Sequence, residues 1–284
     1  MLYLLTASLL WSLSFGLIGH FLTGVDSNAI AFIRLTISLS IFLPFLRSSR
    51  TTPVLRLVLI GAVQYGLMYL AYIKSYHYLA PYQVAVFTIF TPIFVTLIHD
   101  IMQRKLHSSH LLAALLAVIG SAVIVWPDRH LGGTIQGILL IQFANICFAF
   151  GQVAYKQLCK HTQNSSISSD ASIFAYLYLG AVIVSGLFSL FTTDWHNFTL
   201  TNPQTMVLLY LGILPSGIAF FLWNVGARHV NSGTLATFNN AKIPLAVLVS
   251  VILFHEKVSP VILITGGIII IASILFATRQ EGDT

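Results

Sequence analysis

Long apolar stretches separated by short polar connectors run along the whole chain. An apolar run of about 18–25 residues can cross a bilayer as a helix. Helices are expected, because an open sheet would leave backbone groups unpaired in lipid. The pattern therefore predicts an all-α integral membrane protein with ten transmembrane helices, at residues 2–21, 28–46, 56–73, 82–98, 110–126, 135–155, 172–191, 205–223, 232–253 and 260–277.

Composition agrees with a membrane protein. The chain is 57% hydrophobic and 8% charged, whereas soluble domains have about 25% charged residues. The first apolar run begins at Leu2 without a preceding basic region or a following cleavage site, so we expect a membrane helix there, not a cleaved signal peptide. Cys147 and Cys159 match no metal or redox spacing, and we expect no cofactor and no metal.

The basic residues predict an orientation. Connectors alternate between the two sides of the membrane, and the side with more Lys and Arg is normally cytoplasmic. We therefore expect a bacterial inner-membrane protein with both termini in the cytoplasm. Orientation explains the net charge of +6, so no nucleic-acid partner is expected. The basic side carries Arg47, Arg50, Arg56, Arg104, Lys105, Lys156, Lys160, Arg228 and Arg279, and the other side carries Lys74, Arg129 and Lys257.

The two halves of the chain resemble each other. "HYLAPYQVAVFTIFTPIFVTL" aligns with "HVNSGTLATFNNAKIPLAVLV". Any two apolar helices align to some extent, so the informative positions are the polar and proline residues that share one register. That register pairs His77 with His229, Pro92 with Pro244 and Lys105 with Lys257. It predicts two five-helix repeats, 1–130 and 131–284, with the second inverted because five is odd, and a substrate site between them.

Several motifs resemble a known family. "LLWSLSFG" in the first helix, "AIAFIRLTIS" in the second and the Pro and Lys near the end of each half are similar to the EamA family of the drug/metabolite transporter superfamily. The segment "LWNVGARHVNSGTLATFNNAKIPLAVLVSVILFHEK" resembles members described as carboxylate, amino-acid or amine transporters. The resemblance implies a central cavity lined by the first, third, fourth, sixth, eighth and ninth helices, with the fifth and tenth outside.

Lys242 lies near the middle of the ninth predicted helix. A lysine at that depth costs about 2.5–3.5 kcal/mol and usually faces a cavity. Two hypotheses remain open: the ammonium binds an anionic substrate group, or it bonds to helix-end carbonyls as a structural group. Asn239 can share its face, and Pro244 frees a carbonyl in the preceding turn.

The sixth helix has an amide stripe within one arc, formed by Gln142, Asn145 and Gln152. These amides either join helices or line a cavity, while Lys156 at the edge reflects topology. The full set of predicted substrate-binding residues is Lys242, Asn239, Asn240, Gln142, Asn145, Gln152, Tyr65, Tyr69, Tyr72, Trp11, Ser14, Thr88, Thr91 and Trp223.

Two other groups of polar residues are assigned different roles. Arg34 lies early in the second helix, where its side chain can snorkel to the outer face, and we assign it a structural role. Histidines such as His99, His107 and His110 fall at helix ends. Because no acidic partner pattern accompanies them, we interpret them as interface residues.

The acidic residues fall outside the predicted membrane core. Excess positive charge inside the membrane favours an anionic or zwitterionic solute. We expect a secondary transporter of a small polar metabolite, with an amino acid or carboxylate as the best candidate, working by alternating access. A flippase for lipid head groups or lipid-linked metabolites is the alternative, since the same cavity could open towards lipid. No enzymatic motif is present, and the expected partners are a small-molecule substrate, membrane lipid and at most a second copy in a weak dimer.

Overall fold

The structure is a computed structural model that describes residues 1–47, 53–125, 134–159, 167–254 and 259–280. The regular elements of these ranges are helices. The α-helices are α1 (Leu2–Ser12), α2 (Ser14–Phe21), α3 (Ser27–Phe42), α4 (Val54–Gly61), α5 (Met68–Ser75), α6 (Pro81–Phe87), α7 (Thr91–Gln103), α8 (Ser108–Val125), α9 (Ile135–Leu158), α10 (Ile167–Thr192), α11 (Asn202–Leu211), α12 (Phe220–Ala227), α13 (Ser232–Phe238), α14 (Lys242–Phe254) and α15 (Pro260–Arg279).

These helices form ten spans, numbered in chain order: α1–α2, α3, α4–α5, α6–α7, α8, α9, α10, α11–α12, α13–α14 and α15. Among the described residues, 9 helical stretches are long and apolar enough to cross a membrane. The remaining predicted span, 232–253, is divided by a turn into α13 and α14. The all-helical membrane fold is thus confirmed.

The inverted arrangement of the halves stays a prediction. The proposed boundary at residue 130 lies outside the described residues, as do the predicted topology markers Arg50, Arg129, Lys160 and Lys257. The fifth and tenth spans pack against each other, and their backbones meet where a Cβ on Gly266 would lie 2.5 Å from the Gly120 carbonyl oxygen. Small residues of this kind allow close helix approach in membranes.

The third and eighth spans each contain a π-helical segment. Residues Ala62–Leu67 join α4 to α5, and Gly212–Ala219 join α11 to α12. The alignment of the two halves that pairs Pro92 with Pro244 also pairs Leu67 with Ala219, the last residues of the two π segments. Such π segments often mark functional sites, and in both spans the residues that follow face the centre of the bundle.

Candidate functional site

A central cavity lies among seven of the spans. Ligand pockets commonly combine apolar and aromatic walls with a few polar groups, and this lining has both. Its walls come from the spans that the family resemblance implies, together with the second. The lining residues are Trp11, Ser14, Ile18, Arg34, Met68, Tyr69, Tyr72, Thr88, Thr91, Ala144, Asn145, Phe148, Pro215, Phe220 and Lys242.

Lys242 is the first residue of α14 and lines the cavity with 8% of its surface exposed. Its Nζ lies 5.8 Å from the centroid of the Trp11 ring. At that separation the negative face of an indole attracts a cation. The start of a helix also carries partial positive charge, so the ammonium and the backbone of α14 together favour an anion at this point.

Arg34 is the second cation of the cavity, and the expectation that it reaches the outer face is wrong. It is 1% exposed and lines the cavity. Its Nε and Nη2 donate to Ser216 Oγ at 3.2 and 3.0 Å, and Nη2 also donates to the Tyr69 hydroxyl at 3.1 Å. Within the described residues, Nη1 has no hydrogen-bond partner. The guanidinium is therefore held rigidly, with one donor nitrogen left for a ligand.

Aromatic rings form the apolar side of the cavity. The Trp11 ring lies 4.8 Å from the Phe220 ring and 5.9 Å from the Phe148 ring, between centroids. Its Nε1 donates to the Pro215 carbonyl oxygen at 3.0 Å, inside the π segment of the eighth span. The indole is therefore tied to the backbone of the eighth span, and this bond fixes the ring as part of the cavity wall.

Further polar side chains, from four of the spans, reach the same cavity: Ser14, Tyr72, Thr88, Thr91 and Asn145. Ser14 Oγ is buried and, among the described residues, lacks a hydrogen-bond partner. Thr91 Oγ1 donates to Asn145 Oδ1 at 3.2 Å and to the Thr88 carbonyl oxygen at 2.7 Å. Pro92 cannot bond that carbonyl, so Thr91 replaces the missing amide.

The fourth span changes to a 3-10 turn at Thr88–Phe90 before α7 begins. The carbonyl oxygen of Phe87 then accepts from Asn145 Nδ2 at 2.8 Å and from Gln142 Nε2 at 3.1 Å. Part of the predicted amide stripe therefore caps a broken helix. Gln142 is absent from the cavity lining, while Asn145 contributes to both structures.

Asn240 occupies the corresponding turn of the ninth span. Its Nδ2 donates to the carbonyl oxygens of Ile89, at 3.0 Å, and Ala117, at 3.2 Å. The side chain is fully buried and does not line the cavity. This predicted substrate residue instead connects the breaks of the fourth and ninth spans.

A second buried network contains the other predicted residues that do not line the cavity. Gln152 Oε1 accepts from Trp223 Nε1 at 3.0 Å and from Asn239 Nδ2 at 3.3 Å. The Tyr65 hydroxyl accepts from Asn224 Nδ2 at 2.8 Å. Each of these side chains is buried, so the network joins the third, sixth, eighth and ninth spans behind the cavity wall.

Sequence reasoning missed several lining residues, above all Arg34, Phe148, Pro215 and Phe220. Phe148 occupies the place in the second half that Trp11 has in the first, and that similarity could have suggested a shared role. A proline inside an apolar run could likewise have pointed to Pro215. Phe220 gives no signal beyond apolarity.

A second cavity adjoins the first at Ile18, which lines both. It lies among the ends of the first, second and third spans and includes Tyr76 and His77. The Tyr72 and Tyr76 hydroxyls are 2.9 Å apart and connect the two linings. By the predicted orientation, this cavity is on the outer side of the membrane.

Comparison with known proteins gives strong matches along the chain. A model of the EamA-like transporter family matches residues 1–126 and 135–278. The biotin transporter of Salmonella typhimurium is 37% identical over 278 residues, which are 96% of this chain and 91% of that protein. The biotin transporter of Escherichia coli K12 is 36% identical with the same coverage.

Two further matches agree. The probable biotin transporter of Pseudomonas aeruginosa is 36% identical over 277 residues, 96% of each chain. A protein of known crystal structure superposes with a TM-score of 0.77 over 100% of this chain and 98% of that chain, and its 18% identity makes it evidence for the fold alone. The chain therefore belongs to the EamA-like transporter family, and it is, as predicted, a membrane transporter of a small metabolite rather than an enzyme.

Proposed function

We propose that this protein carries biotin across the membrane through the central cavity. The observation that carries the proposal is a cavity with two cationic side chains, Arg34 and Lys242, beside a wall of aromatic rings. Relatives named as biotin transporters, 36–37% identical over nearly their whole length, support the same substrate.

The chemistry of biotin suits that lining. The molecule has a carboxylate at the end of a short apolar chain and a bicyclic ring with a urea group. Lys242 attracts the carboxylate, and the start of α14 adds favourable partial charge. Trp11, Phe148 and Phe220 contact the apolar ring and chain. The urea group hydrogen-bonds to polar lining groups such as Ser14 and Asn145.

This proposal narrows the expectation of an amino acid or carboxylate. The lining holds two basic side chains, and its other members are neutral. A monocarboxylate gains from that excess of positive charge, whereas an amino acid also brings an ammonium group that the same charges repel. We therefore favour a carboxylate over an amino acid.

Transport follows by alternating access. The second cavity meets the central one at Ile18, which supports a path from the end of the bundle that contains His77. If the two proposed repeats exchanged conformations, that path would close and another would open on the opposite side of the membrane. The broken fourth and ninth spans are the segments that can change shape at least cost, because their hydrogen bonds are already interrupted at mid-span.

Uptake of radiolabelled biotin into proteoliposomes tests the proposal. We expect saturable flux that unlabelled biotin suppresses and that amino acids do not. Biotin amide, which lacks the carboxylate charge, should compete about 100-fold less well, because losing one partner of a buried charge pair costs about 2–5 kcal/mol. Flux of amino acids without flux of biotin would overturn the substrate, and lipid scrambling without solute flux would support the flippase alternative.

A Lys242→Ala variant tests whether Lys242 binds the carboxylate of biotin. We expect biotin transport to fall about 100-fold and biotin and its amide to compete equally in the remaining flux. The matched control is Lys74→Gln, which removes an exposed lysine outside the cavity and should leave transport unchanged. A Lys242→Ala variant that still prefers biotin over the amide would show that the charge acts elsewhere.

A further inference from the structure

Three histidines meet where the fourth span ends and the fifth begins. One ligand-type nitrogen from each of His99, His107 and His110 lies within 4.8 Å of the other two. The ring centroids are 5.1–6.1 Å apart. None of the three lines either cavity described above. The cluster is therefore separate from the proposed transport site.

The backbone holds this cluster in place through Asp100. Arg104 ends α7 in the left-handed conformation, with φ of 53°, and turns the chain back. The Lys105 amide then donates to the Asp100 carbonyl oxygen at 3.1 Å, and the His107 amide donates to Asp100 Oδ2 at 3.0 Å. The short connector thereby brings His107 and His110 against His99.

The Asp100 carboxylate also fixes two of the rings. Its Oδ1 lies 2.7 Å from His107 Nδ1 and 3.3 Å from His99 Nδ1. Metal-binding histidines usually engage a carboxylate or carbonyl through one ring nitrogen, which orients the ring and makes the other nitrogen more basic. With Nδ1 engaged in this way, Nε2 of both rings is left for another partner. The premise that these histidines lack an acidic partner is wrong.

His110 supplies the second sign of a ligand. The residue is 4% exposed, and its Nδ1 has no hydrogen-bond partner in the described part of the chain. The ring is fixed by α13, since a Cβ on Gly233 would lie 2.6 Å from His110 Cδ2. A buried polar atom without a partner costs about 1–3 kcal/mol, and a bound cation at the cluster would satisfy it.

We propose that His99, His107 and His110 form a binding site for a divalent transition metal, with Zn²⁺ as the best fit, and that Asp100 positions the first two rings. Imidazole nitrogen suits zinc, whereas calcium and magnesium prefer oxygen. Zinc–nitrogen bonds of about 2.0–2.1 Å place tetrahedral ligands about 3.4 Å apart, so the three rings, now within 4.8 Å, would have to move closer together to bind the metal. Three protein ligands leave a fourth position for water.

A bound metal would also clamp the ninth span. The His110 ring touches the first turn of α13, and α13 leads through its turn to Lys242. Lys156 is the neighbouring cation, and it donates to the Val230 carbonyl oxygen just before α13. The Asp100 charge offsets part of the repulsion between that cation and the metal. Metal binding should therefore raise the thermal stability of the protein.

The test is metal binding by the full-length protein in detergent, purified without a polyhistidine tag and stripped with a chelator. Calorimetric titration should give one Zn²⁺ per chain, and Co²⁺ should give the visible absorption of a tetrahedral site. His99→Gln and His107→Gln should each weaken Zn²⁺ binding at least about 10-fold, and Asp100→Asn about 10–100-fold, as expected for an orienting partner. His196→Gln, at an exposed histidine elsewhere, should bind Zn²⁺ like the wild type.

Thermal unfolding in chelator checks that each variant is folded before titration. Equal Zn²⁺ uptake by the wild type and by the His99→Gln/His107→Gln double variant would overturn the site. Unchanged affinity in Asp100→Asn would overturn the positioning role. These measurements need no substrate, so their outcome does not depend on the proposed transport of biotin.

Discussion

The fourth and ninth spans share one backbone device and use it differently. Each starts as a short helix, α6 or α13, breaks near its middle and resumes as a 13-residue helix, α7 or α14. The register that pairs Pro92 with Pro244 also pairs Thr88 with Asn240, one in each break. Proline is well tolerated near the start of α7 and α14, because an N–H in the first turn of a helix has no partner within the helix.

The side chains at the two breaks differ. In the fourth span, Phe90 stands at the position of Lys242 and is 37% exposed. The ninth span has its cation at that position, turned into the cavity, and Asn240 donates to carbonyls of the fourth and fifth spans. Two similar backbones therefore carry an apolar ring in one span and a positive charge in the other. A ligand with one charged end needs such asymmetry, because a symmetric site would recognise both ends alike.

Replacing the lysine of the ninth span with the phenylalanine found at the matching position of the fourth should have the largest effect, and the effect is on transport. In Lys242→Phe we expect transport to fall at least about 100-fold, equivalent to about 3 kcal/mol, because the cation is removed and a ring fills its place. Radiolabelled biotin uptake measures the change. Phe90→Leu alters the matching position of the fourth span and should transport normally; a similar loss in both variants would mean that shape, not charge, distinguishes the two spans.

Removing the amide that joins the two breaks should have an intermediate effect. Asn240→Ala leaves the Ile89 and Ala117 carbonyls without this donor and should lower the free energy of unfolding by about 1–3 kcal/mol. Thermal unfolding in detergent measures it.

The matching change in the fourth span, Thr88→Ala, removes only a hydroxyl bonded within its own helix, to the Ala85 carbonyl oxygen. It should cost about 0.5–1.5 kcal/mol at most. A larger loss in Thr88→Ala than in Asn240→Ala would contradict the assigned linking role.

The smallest effect is expected at the cap of the fourth span. Gln142→Ala leaves the Phe87 carbonyl oxygen still bonded to Asn145 at 2.8 Å, so the loss should be below about 1 kcal/mol. Asn145→Ala also removes the partner of Thr91 and should destabilise more. The order of the two unfolding temperatures is the measurement, and the reverse order would show that Gln142 is the main cap.

The sequence identified part of the cavity lining. Among its candidates, Trp11, Ser14, Tyr69, Tyr72, Thr88, Thr91, Asn145 and Lys242 line the cavity. Gln152 and Asn239 were chosen because polar groups are rare in such helices. A buried amide network and a cavity wall both use polar residues of the same types. The spacing of such residues along one helix cannot tell which of the two roles they have. Arg34 was misjudged because depth in the membrane says nothing about which neighbours surround a side chain.

The sequence by itself determined the all-helical membrane fold, the approximate extent of the spans, and the presence of a lysine within the ninth of them. Lipid imposes those features on every span separately, since each must be apolar and satisfy its own backbone. Only the tertiary structure decided which polar groups face the cavity, how the two breaks meet, and that three histidines share one carboxylate. Those relations join residues on different helices, and their geometry exists only after the helices pack.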